Sequence, residues 1–288
     1  MTTLIAGLII SMLFEGDPVK EQILERLSHG DGTYAVAFHD IDSGREILIN
    51  EREMFHAAST MKTPVMIELF RKARQGKLNL DDSIVVKNEF LSLVDGSPYS
   101  MDLGEDSDDS VYSLVGTNVT LRFLIYQMIT VSSNLATNIL IQMADPKAVT
   151  QTMRSLGADS IQVLRGVEDQ KAFEAGLNNS TTAHDLLMIF KALAEGPSVN
   201  EADREAMIGI LSEQKFRDVI PAGLPSGTRV AHKTGSITGV RHDSGIVFLP
   251  DGRRYVVVFL SKNLRNEQEG KKALADVSRI IYESVAGK

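Results

Sequence analysis

The sequence contains no cysteine and no tryptophan among its 288 residues. The absence of cysteine excludes a disulfide-stapled scaffold, a thiol nucleophile, an iron–sulfur cluster and a structural zinc site with cysteine ligands. A covalent catalyst in this chain must therefore use a hydroxyl, an amine or a carboxylate. Apolar residues make up 43% and charged residues 24% of the chain, which is typical of a folded globular protein.

Positive charge and long apolar runs are also scarce. With 30 Lys and Arg against 38 Asp and Glu, the net charge is −8, so the average surface repels a phosphate backbone and nucleic acid is not an expected partner. The apolar run at residues 4–14 is too short for a bilayer, which takes about 20 helical residues. Residues 1–16 are therefore either a remnant of an export signal or an N-terminal helix, and no stable membrane span is expected.

Strand-like alternation occurs near both ends of the chain, at residues 34–38 and 46–49 and again at 229–234, 245–249 and 255–260. Helical periodicity occurs at 19–27 and 267–285 and fills the middle at 60–75, 119–131, 134–143, 148–156, 183–195 and 200–212. The pattern predicts an α/β two-lobed fold, in which an antiparallel sheet flanked by N- and C-terminal helices carries an inserted all-helical domain. The predicted sheet domain comprises 17–57 and 205–288, and the helical domain 58–204.

Ser59 and Lys62 are three residues apart at the predicted start of a helix. This spacing places both side chains on one face, with about 5–6 Å between their Cβ atoms, so the amine can reach the hydroxyl. A desolvated lysine eases proton loss from the serine, and the positive end of the helix stabilises the resulting anion. Ser212 and Lys215 have the same spacing, but they lie at the far end of a helix, where a solvated surface pair is the better interpretation.

Two further elements follow in the sequence. Ser132 and Asn134 lie at the junction of two predicted helices, where short polar residues also fit a cap. The run Lys233-Thr234-Gly235-Ser236 lies on a predicted strand that ends in small residues, so a ligand can approach its backbone closely. Each element alone fits a structural role. Together with Ser59 and Lys62, in this order, they match the Ser-x-x-Lys, Ser-x-Asn and Lys-Thr-Gly motifs of the penicillin-recognising serine enzymes.

From about residue 17 to its C-terminal end, the chain thus resembles the class A serine β-lactamase family and, through it, the penicillin-binding D,D-peptidases. The resemblance implies a β-lactamase/transpeptidase-like fold with Ser59 as the acylated nucleophile and Lys62 as its proton acceptor. Ser132 would relay a proton to the leaving lactam nitrogen, and Asn134 would hold the side-chain amide of the substrate. No metal and no organic cofactor is implied, and the expected partner is a small molecule, a β-lactam or a D-Ala-D-Ala-like peptide.

The resemblance also assigns the binding of the substrate carboxylate. Lys233, Thr234 and Ser236 would hold it beside Gly235, and the backbone N–H groups of Ser59 and Ser236 would form the oxyanion hole. Tyr112 resembles in position the aromatic residue at the mouth of class A sites. We expect the protein to be a monomer that is either periplasmic or secreted. The signal for export is weak, so a cytoplasmic location stays open.

Hydrolysis of the acyl-enzyme requires a base that activates water, and the family uses a glutamate on a loop after the Ser-x-Asn element. Glu168 resembles this residue in its spacing from Ser132 and in the arginine that precedes it. Glu174 instead begins the family-like string Glu-Ala-Gly-Leu-Asn. Glu168 is the favoured choice. Ala172 then replaces a water-holding asparagine, so deacylation is expected to be slow unless Asn178 or Asn179 folds back to supply the amide.

Other positions depart from the family pattern. Ser133 replaces the usual aspartate, as in D,D-peptidases in general. Arg241 either assists carboxylate binding or is a solvated turn residue. His242 and Asp243 either form a catalytic dyad or, as we favour, make a structural hydrogen bond. The segment at residues 96–109 predicts a solvated acidic loop rather than a calcium site, because it lacks EF-hand spacing.

Three functions fit this sequence. The leading one is a β-lactamase that opens the lactam ring through Ser59 and releases the product with water activated by Glu168. The second is a D,D-peptidase or esterase-like hydrolase that turns over β-lactams weakly. The third is a penicillin-binding sensor in which acylation is the end point.

Overall fold

The computed structural model describes residues 17–287. The export signal or N-terminal helix expected at residues 1–16 lies outside the described residues. Within 17–287, no helix combines the length and apolar character needed to cross a membrane.

The elements follow one another along the chain, with three short 3₁₀ helices at Ala58–Met61, Tyr112–Leu114 and Pro221–Gly223. Their order is α1 (Pro18–Ser28), β1 (Thr33–Asp40), β2 (Glu46–Ile49), β3 (Phe55–His56), α2 (Lys62–Arg74), β4 (Ser83–Val85), β5 (Phe90–Leu91), β6 (Pro98–Tyr99), β7 (Asn118–Thr120), α3 (Leu121–Thr130), α4 (Asn134–Ala144), α5 (Pro146–Ser155), α6 (Gln170–Glu174), β8 (Ser180–Thr181), α7 (Ala183–Glu195), α8 (Glu201–Ser212), β9 (Arg229–Ile237), β10 (Val240–Phe248), β11 (Arg254–Lys262) and α9 (Glu267–Ala286).

Strands from both ends of the chain form one five-stranded antiparallel sheet in the order β2-β1-β11-β10-β9. The β1–β11 pairing brings Thr33 opposite Lys262 and Asp40 opposite Tyr255. A pairing between such distant segments closes the sheet around the intervening helices, as the pattern predicts. The two-lobed α/β fold is therefore confirmed.

Both faces of the sheet are buried. Successive residues of a strand point to opposite sides, so each strand contributes to two apolar clusters. On one face, Phe38 and Val257 pack with Ile23 of α1 and Leu274 of α9 in one apolar cluster. On the opposite face, Val256 and neighbouring residues belong to the larger cluster shared with the helical lobe. Helix α7 packs on this second face, so the sheet is covered on both sides.

Local sequence signals explain where several helices begin. Helix α7 starts with a capping box in which Thr182 and Asp185 bond each other's backbone N–H groups, and its bounds match the prediction. Asp145 caps α5, whose first residue is Pro146. The predicted helix at 60–75 is displaced, because residues 58–61 form a 3₁₀ turn and the α-helix begins only at Lys62.

Strands β9, β10 and β11 are longer than predicted. Strand β10 begins at Val240 rather than at residue 245, since Gly239 makes the turn with a φ of +71°. Polar residues occupy the start of β10, and the apolar alternation used for prediction is absent there. Four short features were not predicted: helix α6 and the strand pairs β3–β8, β4–β7 and β5–β6. The helix has only five residues and each of these strands only two or three, too few for a clear periodicity.

We expect Leu274→Ala to destabilise the protein by about 2–5 kcal/mol, because this fully buried α9 side chain would leave a cavity against the sheet. Urea unfolding measures the change. Leu24→Ala on α1 is the matched control, since Leu24 is 39% exposed and its truncation should cost less than about 1 kcal/mol. Equal effects of the two substitutions would contradict the packing of α9 described here.

Candidate active site

The three sequence motifs converge on one pocket between the sheet and the helical lobe. Ser59 lies in the 3₁₀ turn before α2, Ser132 and Asn134 flank the α3–α4 junction, and Lys233 lies on β9. The pocket has a volume of about 370 Å³. The residues of the motifs that line it are Ser59, Ser132, Asn134, Thr234, Gly235 and Ser236.

Lys62 is fully buried behind this pocket. Its ammonium Nζ donates to the Ser132 carbonyl oxygen at 2.7 Å, to Ser132 Oγ at 3.2 Å and to Asn134 Oδ1 at 2.8 Å. Burial lowers the pKa of Lys62 to about 7, against the opposing effect of the carboxylates of Asp106 and Glu168. Near neutral pH the side chain can thus both accept and donate a proton.

Lys233 lies on the other side of Ser132 and is also fully buried. Its Nζ donates to Ser132 Oγ at 3.0 Å and to the Thr234 carbonyl at 2.9 Å. Burial and the nearby Lys62 hold the pKa of Lys233 well below its usual range. The hydroxyl of Ser132 therefore lies between two amines, in the position that a proton relay requires.

Gly235 brings β9 against the backbone of Ser59. A Cβ atom at Gly235 would lie 3.2 Å from the Ser59 nitrogen and 3.1 Å from Thr60 Cγ2, tighter than ordinary contact. Glycine therefore allows the strand and the 3₁₀ turn to approach each other at the pocket. Ala58, just before Ser59, has a φ of +45°, a left-handed conformation that strains a residue with a side chain.

Glu168 points to Asn134 rather than to solvent. Its Oε1 accepts from Asn134 Nδ2 at 2.8 Å, and its Oε2 accepts from the Asp102 backbone N–H at 3.3 Å. Burial raises the pKa of Glu168. Glu174 is exposed on α6, where it accepts from Gln170 at 3.0 Å. Of the two candidate bases, the structure brings Glu168 alone to the other motif residues.

The segment before Glu168 is held by Asn138 of α4. Asn138 accepts from the Val167 N–H at 2.7 Å and donates to the Val167 carbonyl at 2.9 Å. A Cβ at Gly166 would lie 2.1 Å from Asn138 Oδ1, so only glycine fits beside this clamp. Glu168 itself has a φ of +60°, a strained conformation that these contacts support. Sequence analysis missed Asn138, because one polar residue on an apolar helix gives no distinctive signal.

Neither Asn178 nor Asn179 folds back to supply an amide beside Glu168. Asn178 accepts from the Arg165 guanidinium at 3.0 Å, and Asn179 bonds the backbone of Leu164 and Arg165. Both amides are thus used to close the base of the loop. The amide that contacts Glu168 belongs to Asn134.

The dyad of His242 and Asp243 does not form, because adjacent residues of β10 point to opposite faces of the sheet. His242 donates from Nε2 to the His56 carbonyl and accepts at Nδ1 from the Ser261 N–H, and burial lowers its pKa to about 4. Asp243 instead pairs with the buried His232 at 2.8 Å. Each residue thus makes a hydrogen bond within the fold, but neither bonds the other as the favoured interpretation expected.

Arg241 lines the pocket, but its guanidinium is already engaged. It pairs with Glu267 and donates to the carbonyls of Ile237 and Val240 at 2.9 and 2.6 Å. Arg241 is therefore neither a solvated turn residue nor an unpaired cation.

The acidic segment at 96–109 is not simply a solvated loop. Asp106 accepts hydrogen bonds from the backbone of Asn134 and Leu135, and the Tyr112 hydroxyl donates to it at 3.1 Å. Among residues 17–287, no group of three or more acidic or histidine side chains is arranged to hold a metal ion. Asp106 could not be singled out from the sequence, because folding brings the backbone N–H groups of α4 to it.

Comparison with known proteins agrees with this geometry. A family model described as the β-lactamase enzyme family matches residues 18–285. The chain is 26% identical to a β-lactamase of Streptomyces albus G, over 91% of this chain and 82% of that protein. Similar structures include an ancestral class A β-lactamase (25% identity, TM-score 0.80, 92% and 99% coverage) and PBP-A (25%, 0.79, 94% and 96%). The chain therefore belongs to the β-lactamase enzyme family, in its class A serine group.

Proposed function

We propose that this protein hydrolyses β-lactams through an acyl-enzyme on Ser59, with Glu168 activating the water that releases the product. The observation that carries this proposal is the bridge formed by Asn134, which accepts from Lys62 at 2.8 Å and donates to Glu168 at 2.8 Å. The group that serves acylation and the group that serves hydrolysis thus share one network beside the nucleophile.

In acylation, Ser59 Oγ attacks the lactam carbonyl carbon while its proton passes to neutral Lys62, directly or through hydrogen-bonded groups. The backbone N–H groups of Ser59 and Ser236 stabilise the oxyanion. When the C–N bond breaks, Ser132 gives its proton to the lactam nitrogen and regains one from the Lys62 ammonium, 3.2 Å away.

Substrate binding uses the opposite wall of the pocket. Thr234 and Ser236 bind the substrate carboxylate beside the charge of Lys233, and Asn134 holds the side-chain amide. Asn134, Thr234 and Ser236 line the pocket. Lys233 does not line it and is fully buried. Tyr112 contributes at the edge of the site through its contact with Asp106.

In deacylation, Glu168 takes a proton from water, whose oxygen attacks the ester carbonyl, and Ser59 leaves with a proton. Ala172 is fully buried and offers no side-chain amide at this step. We therefore propose that deacylation is slower than acylation.

We further propose that the protein works as a monomer in the periplasm or after secretion. The proposed sheet domain comprises residues 17–57 and 205–288, and the proposed helical domain comprises 58–204. The sheet supports this division, since it joins both ends of the chain around the helices. Helix α7 lies in the second range but packs on the sheet.

We expect sustained turnover when the protein is mixed with a chromogenic cephalosporin, and Ser59→Ala should lower the rate by at least about 10³-fold, because it removes the nucleophile. Stopped-flow absorbance followed over many turnovers measures both. Ser212→Ala is the matched control, since that hydroxyl donates to the Ile208 carbonyl at the end of α8 and should change the rate by less than about threefold. A burst of one equivalent followed by no turnover would instead identify a penicillin-binding peptidase or sensor.

Glu168→Gln should trap the acyl-enzyme, because the amide cannot take a proton from water. Intact-protein mass spectrometry after mixing with penicillin G should show a persistent adduct on the variant. Glu174→Gln is the control and should turn over at the wild-type rate, since Glu174 bonds only within α6. Rapid turnover by Glu168→Gln would remove Glu168 from this role.

The acylation rate should fall about tenfold per pH unit on the acid side of the Lys62 pKa, because the protonated amine cannot accept the serine proton. This pKa is about 7, so the decline should begin near neutral pH. Single-turnover acylation by a fluorescent penicillin gives the profile. Lys215→Met at the other Ser–Lys spacing should leave it unchanged, whereas a profile that stays flat down to acidic pH would exclude Lys62 as the acceptor.

A further inference from the structure

A carboxylate from outside the three motifs lies against the start of α4. Asp106 accepts from the backbone N–H of Asn134 at 2.8 and 2.9 Å and from that of Leu135 at 3.0 Å. The side chain of Ser133, which caps the same helix, accepts from the Ala136 N–H at 3.3 Å. The first N–H groups of a helix have no partners within it, so Asp106 satisfies two that Ser133 does not reach.

The next residue of the same loop fixes the other side of the α3–α4 junction. Ser107 Oγ donates to the carbonyl of Val131 at 2.8 Å and to that of Ser132 at 3.2 Å. Ser132 has a φ of +60°, which costs a residue with a side chain about 1 kcal/mol or more. Such a conformation persists only where its surroundings hold it. Asp106 and Ser107 therefore hold the backbone that carries Ser132 and Asn134.

Asp106 also contributes charge to the site. The charged groups that face Lys62 are Lys233, Glu168 and Asp106. Two buried ammonium groups repel each other, and the carboxylates reduce that cost. The three motifs themselves provide no carboxylate for this purpose, because Ser133 occupies the position where the family resemblance gives an aspartate.

We propose that Asp106 is a positioning residue of the acyl-transfer site, which supplies from the loop of residues 102–109 the carboxylate that Ser133 lacks. It acts through the backbone of Asn134 and Leu135 and through its charge near Lys62, and it takes no part in bond making. The proposal rests on the proposed function, since it concerns the acylation of Ser59.

The test is Asp106→Asn in the full chain, measured by single-turnover acylation with a fluorescent penicillin. We expect acylation to slow by about tenfold, because the amide has one acceptor oxygen where the carboxylate has two, and it carries no negative charge at the start of α4. The acid limb of the pH profile should also move to lower pH, since removing a negative charge near Lys62 disfavours its ammonium form. Asp109→Asn is the matched control, because Asp109 is exposed on the same loop, and it should move neither quantity.

A second variant distinguishes positioning from a loss of folded protein. The position of the acid limb does not depend on how much of the sample is folded. Ser133→Asp in the Asp106→Asn background should return acylation to within about threefold of wild type, because an aspartate N-cap restores the carboxylate.

An unmoved acid limb of the pH profile, or an acylation rate equal to wild type in Asp106→Asn, overturns the proposal. If acylation by the double variant does not recover, the exchange between positions 106 and 133 is overturned. Acylation is measurable even if the protein never hydrolyses its adduct. A lack of turnover in the wild-type protein would therefore contradict the proposed function and leave this test of Asp106 intact.

Discussion

Two buried amines on either side of one serine hydroxyl constrain the whole molecule. Lys62 and Lys233 are fully buried, and both donate to Ser132 Oγ. Burying an ammonium group is costly unless polar partners surround it, so α2, the α3–α4 junction and β9 must meet with little freedom. The cost also lowers the pKa of Lys62 to about 7, so that near neutral pH the amine can accept a proton. The same burial thus specifies how the lobes join and supplies the chemistry.

Strain is concentrated where the chemistry is expected. Three residues with side chains, Ala58, Ser132 and Glu168, have positive φ next to or within the motifs. Two of them are held by contacts from another part of the chain: Asn138 fixes the backbone beside Glu168, and Ser107 donates to the Ser132 carbonyl. The structure therefore uses packing and hydrogen bonds of the helical lobe to keep a few residues in conformations that they would not adopt alone.

Much of the fold follows from local pattern. Helix α7 and strand β2 have the predicted bounds, because a capping box defines one and an apolar alternation bounded by turn residues defines the other. The 3₁₀ turn at Ser59 and the start of β10 do not follow from such patterns. The first depends on the contact of Gly235 with the Ser59 backbone, and the second on polar residues that pair within the sheet.

The sequence by itself determined the kind of nucleophile, through the absence of cysteine, and the three motifs with their order along helix, junction and strand. These are properties of residue type and spacing, and they need no distant contact. The contact of Glu168, rather than Glu174, with Asn134, the separate partners of His242 and Asp243, and the place of Asp106 at the start of α4 were decided by tertiary structure. Each of these depends on groups that are far apart in the chain, such as Asp102 with Glu168 or Asp106 with Asn134, and only folding brings them within hydrogen-bond distance.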